Sequence, residues 1–186
     1  MNTKMVFAMV LISGVFVIGC STREKREAMK TTPSHSARQV AAAEEAPYVT
    51  EFSFAKGSSE LSETAKQDLR RLITDAKRNS NIKELKVISW ADKEYPSKST
   101  KKLSSAERDL VKKRNDAIRD YVKDYSTGID VDTYSMAERP GAIKEMLNTS
   151  DARVKKSLET AGIPTTESTV KSPSKASKSI VMVITE

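Results

Sequence analysis

The chain closes on KSIVMVITE, Lys178 to Glu186, in which Ile180 to Ile184 are five apolar residues in a row. A bounded apolar run of this length is shorter than a helix needs and reads as a strand covered on both faces. The chain must therefore supply a sheet and the layers that cover it. With 186 residues, 38% hydrophobic and 31% charged, it can build one ordinary domain plus tails.

Upstream of that strand the hydrophobic period switches between two and about 3.6. In YVTEFSF, Phe52 and Phe54 alternate as in a strand, and KGSS, Lys56 to Ser59, punctuates it. Leu61, Ala65, Leu69, Leu72, Ile73 and Ala76 then recur at helical spacing, with Ser62 placed as the N-cap. Asn79 and Asn81 end that helix. IKELKVISW follows as a second strand, with Leu85 and Val87 on one face and Lys86, Ile88 and Trp90 on the other.

Ser104 and Glu107 have capping-box spacing and open a helix that ends before Gly128. On it Leu110, Ile118, Tyr121, Val122 and Tyr125 share a stripe with Glu107 and Arg114. An arginine among core positions has to be paired or reach solvent. GIDVDTYSMAE reads as a third strand, and Ser150 caps a short helix carrying Val154, Leu158 and Ala161. The order β-α-β-α-β-α-β predicts an α+β fold: a two-layer sandwich with helices packed on one face of a four-stranded mixed sheet.

The opposite end is different. Residues 1–19, MNTKMVFAMVLISGVFVIG, carry Lys4 and then an uncharged apolar run, the length of a signal-peptide core and short of a membrane span. The run stops at Cys20, the single cysteine, so no disulfide can form within one chain. VIGC resembles the bacterial lipoprotein signal. That resemblance implies cleavage after Gly19 and acylation of Cys20 by a fatty chain such as palmitate. It also implies, with Ser21 next, an outer-membrane protein that faces the periplasm. Residues 20–46 are polar and charged, too poor in large apolar side chains to offset their ordering entropy, and read as a flexible tether to a domain over 47–186. The formal charge of +7 favours acidic partners such as anionic lipid or cell-wall carboxylates, and export argues against nucleic acid.

Over 48–186 the order of elements and the residues at two turns resemble the OmpA-like peptidoglycan-binding domain, of the peptidoglycan-associated lipoprotein type. FSFAKG matches the family's opening strand and glycine, and LSETAKQDLRRLITDA its first helix. Ser89, Trp90, Ala91 and Asp92 stand where the family's second strand ends. Leu103 and Ser104 match the start of its next helix, and Ser135 to Glu138 a later turn. The resemblance implies that peptidoglycan is the partner. Its diaminopimelate side chain would be held between Asp92, for the amino group, and a helix arginine, for the carboxylate. Matching the family's pattern of an arginine followed by an apolar residue at four and an aromatic at seven selects Arg114, with Ile118 and Tyr121, and counting forward from Asp92 selects Glu107, with Arg108 next to it. The family's glycines are Ser89, Tyr95, Ser135 and Ala137 here, and its usual arginine pair at the last strand is reduced to Lys178. A degenerate OmpA-like domain, acting as an interaction or scaffold module with envelope proteins as partners, is the competing expectation.

Catalysis is not expected, and neither is a cofactor or a metal. His35 is the single histidine and lies in the tether, so no triad or histidine zinc site can be assembled. Asp130 and Asp132 share a strand face without a further catalytic group, and the basic run KSTKK reads as a solvated face. Trp90 and Tyr95 could shelve a ligand, or Trp90 could pack against a helix.

Overall fold

A computed structural model describes residues 32–93, 100–140, 149–160 and 175–186. Its elements, in chain order, are α1 (His35–Ala43), β1 (Tyr48–Ser53), α2 (Glu63–Asn79), β2 (Ile82–Ser89), α3 (Ser105–Tyr125), β3 (Asp130–Ser135), α4 (Ser150–Thr160) and β4 (Lys178–Thr185). The strands form one mixed sheet in the order β1-β4-β2-β3. The last strand inserts between the first two and runs antiparallel to both, while β2 and β3 are parallel. A parallel pair needs a crossover, and α3 supplies it. The fold is α+β, as the order of periods predicts.

The first face of the sheet presents Phe52, Leu85, Val87, Val181 and Val183 to α2 and α3. Ser62 caps α2 by accepting from the Ala65 N–H at 3.1 Å, and Ala65, Leu69, Leu72, Ile73 and Ala76 are buried as their spacing requires. Ser104 caps α3 through the Glu107 N–H at 3.3 Å. The buried side of α3 is Val111, Arg114, Asn115, Ile118 and Val122, so the helix is rotated from the expected stripe. Leu110 is half-buried and Tyr125 exposed. One bond that holds this rotation is from Asn115 Nδ2 to the Tyr134 carbonyl at 3.3 Å.

The second face corrects two expectations. Ile88, Trp90, Tyr134, Ile180 and Met182 are covered by α1 and α4, through Ala37, Val40, Ala41, Val154 and Leu158. Helices therefore lie on both faces, and the sandwich has three layers where two were expected. The apolar run of β4 is the residue-level reason: a central strand with Ile180 and Met182 on one side and Val181 and Val183 on the other needs two covers.

The second correction concerns the flexible tether assigned to residues 20–46. Ser34 to Ala46 belong to the packed structure. Nine residues are too few for an isolated helix to persist in water, so docking is what holds α1. Its small side chains, Ala37, Val40 and Ala41, allow close approach to the sheet. Both its ends are fastened. The Ser34 N–H donates to Glu51 Oε2 at 3.1 Å, and Glu44 at the far end pairs with Lys86 of β2 at 2.8 Å. The signal segment and Cys20 lie outside the described residues. Among the described residues no helix is long and apolar enough to cross a membrane.

Candidate functional site

β1, β2 and β4 bring their ends together, and the candidate residues meet there. β1 leaves the sheet through Phe54 and turns at Gly57, whose φ of 70° lies in the left-handed region that a side chain would strain. β2 continues past Ser89, where Trp90 N donates to the Lys178 carbonyl at 2.9 Å and carries the chain to Asp92. Trp90 itself is fully buried among Met136, Val154 and Leu158, which gives it the packing role and not that of a ligand shelf. Its indole Nε1 has no acceptor among the described residues.

Arg114 comes to Asp92 from α3, 22 residues away in sequence, and its Nη2 donates to Asp92 Oδ1 at 2.6 Å. The guanidinium itself bridges the carboxylate and the helix. The same guanidinium donates from Nε to the Ser58 carbonyl at 2.9 Å, from Nη1 to the Trp90 carbonyl at 2.7 Å and from Nη2 to the Ala55 carbonyl at 3.3 Å. It stacks on the Phe54 ring at 5.0 Å, a cation–π contact, and its side chain has 0% exposure. The cation that looked anomalous on an apolar stripe is thus satisfied by three main-chain oxygens and the Asp92 carboxylate.

Asp92 is held from three sides. Oδ1 accepts from Arg114 and from Ser177 Oγ, the latter at 2.7 Å, and Oδ2 accepts from the Gly57 N–H at 2.5 Å. Its side chain keeps 14% exposure. Burial pushes this carboxyl up, but the hydrogen bonds from Arg114, Ser177 and Gly57 outweigh it and hold the group below the usual aspartate range. Glu107, which a capping box would turn back to its own helix, accepts from the Asp92 N–H at 3.3 Å and lies 3.9 Å from Lys93. Glu107 and Arg114, two turns apart on α3, both face the end of β2. Arg108 does not: its Nη1 donates to the Leu103 carbonyl at 2.6 Å.

Positions where the family has glycine are filled here without disrupting the strand ends. Ser89 shares a hydrogen bond with Ser179 across β2 and β4 at 2.6 Å. Ala137 is buried against Ala91 and Val111, and its carbonyl accepts from Leu103 N at 2.8 Å. Tyr95 and Pro96 lie outside the described residues. Asp130 and Asp132 are exposed on β3, and of the basic run Lys102 pairs with Glu138 at 3.6 Å. Among the described residues no group of three histidine, cysteine, aspartate or glutamate side chains could hold a metal.

Two contributors escaped sequence reasoning. Ser177 adopts φ 61°, a left-handed conformation without a glycine to announce it. A buried network next to it joins Lys175 Nζ to Glu51 Oε1 at 2.9 Å and to Ser34 Oγ at 2.6 Å, with Lys178 Nζ 3.1 Å from the same Glu51 oxygen. Burial raises the Glu51 carboxyl, but bonds from Ser34, Lys175 and Lys178 bring it down to about 2.

No family model matches the sequence, and no curated protein matches it. Among solved structures the chain is similar to the OmpA-like domain of FopA1 from Francisella tularensis subsp. tularensis SCHU S4. The two are 15% identical, the match covers 74% of this chain and 75% of that one, and the TM-score is 0.37.

Proposed function

We propose that the chain is a non-catalytic, lipid-anchored protein of the bacterial envelope whose domain holds peptidoglycan non-covalently, joining the outer membrane to the wall. The observation that carries this reading is the Asp92–Arg114 pair. The two residues that the OmpA-like resemblance assigns to the diaminopimelate side chain stand 2.6 Å apart at one rim of the sheet. The retained exposure of Asp92 and its low pKa support an anionic contact point for an amino group at neutral pH. Acylated Cys20 would hold the chain on the membrane, and residues up to Ser34 would give the domain its reach.

A pull-down of the full chain, in detergent, on purified diaminopimelate-type sacculi tests this. The parent should be retained and Asp92→Asn should lose about tenfold or more, the range of a charge-assisted hydrogen bond. Equal retention of the two would refute the site. A second reading is favoured by the complete burial of Arg114: the pair is a structural clasp in a domain that serves as an envelope interaction module. Failure of the folded parent to bind sacculi would select it.

A further inference from the structure

The two members of the pair are not equally available. A guanidinium recognises a carboxylate by offering two adjacent N–H groups as a fork. Four of the five N–H groups of Arg114 are already spent on Ser58, Trp90, Ala55 and Asp92, and both edges of the fork contain spent donors. Freeing an edge would break bonds to main-chain carbonyls of two segments, the Ala55–Ser58 turn and the end of β2, and the Trp90 carbonyl among them is buried, so that its loss carries a desolvation penalty. Among the described residues, Lys178 and Lys175 are turned to Glu51, and Lys93 lies toward Glu107.

Asp92 is the reverse case. Both acceptor sites of Oδ1 are used, but among the described residues Oδ2 takes a single bond, from Gly57, and the Asp92 side chain keeps 14% exposure. Ser177 keeps that carboxylate in place. Its N–H donates to the Ala91 carbonyl at 2.6 Å and its carbonyl accepts from Phe54 N at 2.7 Å, so the backbone of this left-handed residue is fixed beside Asp92.

We infer that the site reads an ammonium group alone: Asp92 is the contact residue, Arg114 and Ser177 are positioning residues, and a carboxylate beside the ammonium goes unread. The ligand class is a primary amine on an extended side chain. That this amine belongs to a wall peptide rests on the function proposed above. The consequence is chemical tolerance, in that diaminopimelate, its carboxyl-amidated form and lysine would be taken alike.

Three small probes separate the groups: norleucine, with ammonium and carboxylate on one carbon; n-pentylammonium, its decarboxylated counterpart; and hexanoate, which lacks the amine. Each is titrated into the full chain in detergent micelles while the amide signal of Gly57 and the Asp92 carboxyl carbon are followed by NMR. Norleucine and n-pentylammonium should shift both with Kd values within about threefold, and hexanoate should shift neither. Norleucine binding tenfold or more tightly than n-pentylammonium would overturn the inference, as would the absence of a saturable shift with either amine.

Arg114→Lys should weaken both amines by one common factor and raise the pKa of Asp92. A selective loss of norleucine would instead make Arg114 a contact residue. If Arg114→Lys does not fold, Ser177→Ala, with its backbone bonds intact, carries the same expectations. Sacculus retention is scored separately. Amine shifts without retention would remove the peptidoglycan source and leave the ammonium site, and retention released by norleucine but not by n-pentylammonium would do the opposite.

Discussion

Glu51→Gln is the most informative change outside the candidate site. Glu51 is a buried carboxylate on β1 that receives the Ser34 N–H and two lysine ammonium groups, and Lys175 is itself buried. Its pKa stands at about 2 in place of the ordinary 4.5. The folded state thus binds this proton less tightly than the unfolded state does. The stability it contributes is fully present above pH 4.5 and is lost as pH falls toward 2. The shift corresponds to about 3 kcal/mol, of which about 2 kcal/mol is gone by pH 3.

In the glutamine variant that titration disappears and Lys175 keeps a buried charge without its carboxylate. Removing one partner of a buried pair costs about 3–5 kcal/mol, a large share of the 5–15 kcal/mol typical of a domain. Denaturant unfolding followed through Trp90, the single tryptophan, measures both quantities. At pH 7 the variant should be less stable by about 3–5 kcal/mol, and the gap should narrow by about 2 kcal/mol at pH 3. A gap that is the same at both pH values would refute the assignment of this charge network. A gap under about 1 kcal/mol at pH 7 would refute its energetic role.

Other changes probe separate elements. Val40→Asp puts a charge where α1 meets the sheet and should unseat that helix, seen as fast hydrogen exchange over residues 35–46 with α2 and α3 still protected. Ser104→Ala removes the N-cap of α3 and should cost about 1 kcal/mol in denaturant midpoint analysis. Gly57→Ala forces a side chain into φ 70° and should cost about 1 kcal/mol, while weakening the donor to Asp92 in the same amine titrations. Burial, with Asp132 and Glu84 adding to it, raises the Tyr134 phenol well above its ordinary range. Spectrophotometric titration of the five tyrosines should leave one un-ionised until the protein unfolds.

Much of the fold was legible because its signals are local. Periods of two and 3.6, the caps at Ser62 and Ser104, and the turn at Gly57 each act over a few residues, and β1, α2 and α3 stand where they indicate. α4 differs, since Ser150 is its first residue and the Thr149 hydroxyl accepts from the Ala152 N–H at 3.4 Å in the capping role expected of Ser150. The second helical layer is tertiary. α1 shows an apolar stripe of just Ala37, Val40 and Ala41, set in a polar stretch that reads as tether until a sheet face is available to receive it. The sign that such a face existed was at the other end of the chain, where five consecutive apolar residues in β4 cannot be reconciled with helices on one side alone.

The site divides along the same line. Asp92 was a candidate by resemblance at the end of a strand, and Arg114 by its match to the same family's pattern together with its place as a cation on an apolar stripe. A buried guanidinium must find acceptors, and the two segments that leave β1 and β2 supply three of them. Ser177 left no trace, because a serine in the left-handed region is held there by long-range bonds to Ala91 and Phe54. The difference between the pair's members is equally invisible in sequence. The OmpA-like resemblance pairs one carboxylate with one guanidinium and implies a matched receptor for a zwitterion. The carbonyls of Ala55, Ser58 and Trp90 break that symmetry by occupying the guanidinium, and they belong to main chain that any side chain could have carried. What such an acid–base pair can offer a ligand therefore depends on the backbone oxygens around the base, and here the base has 0% side-chain exposure while the acid keeps 14%.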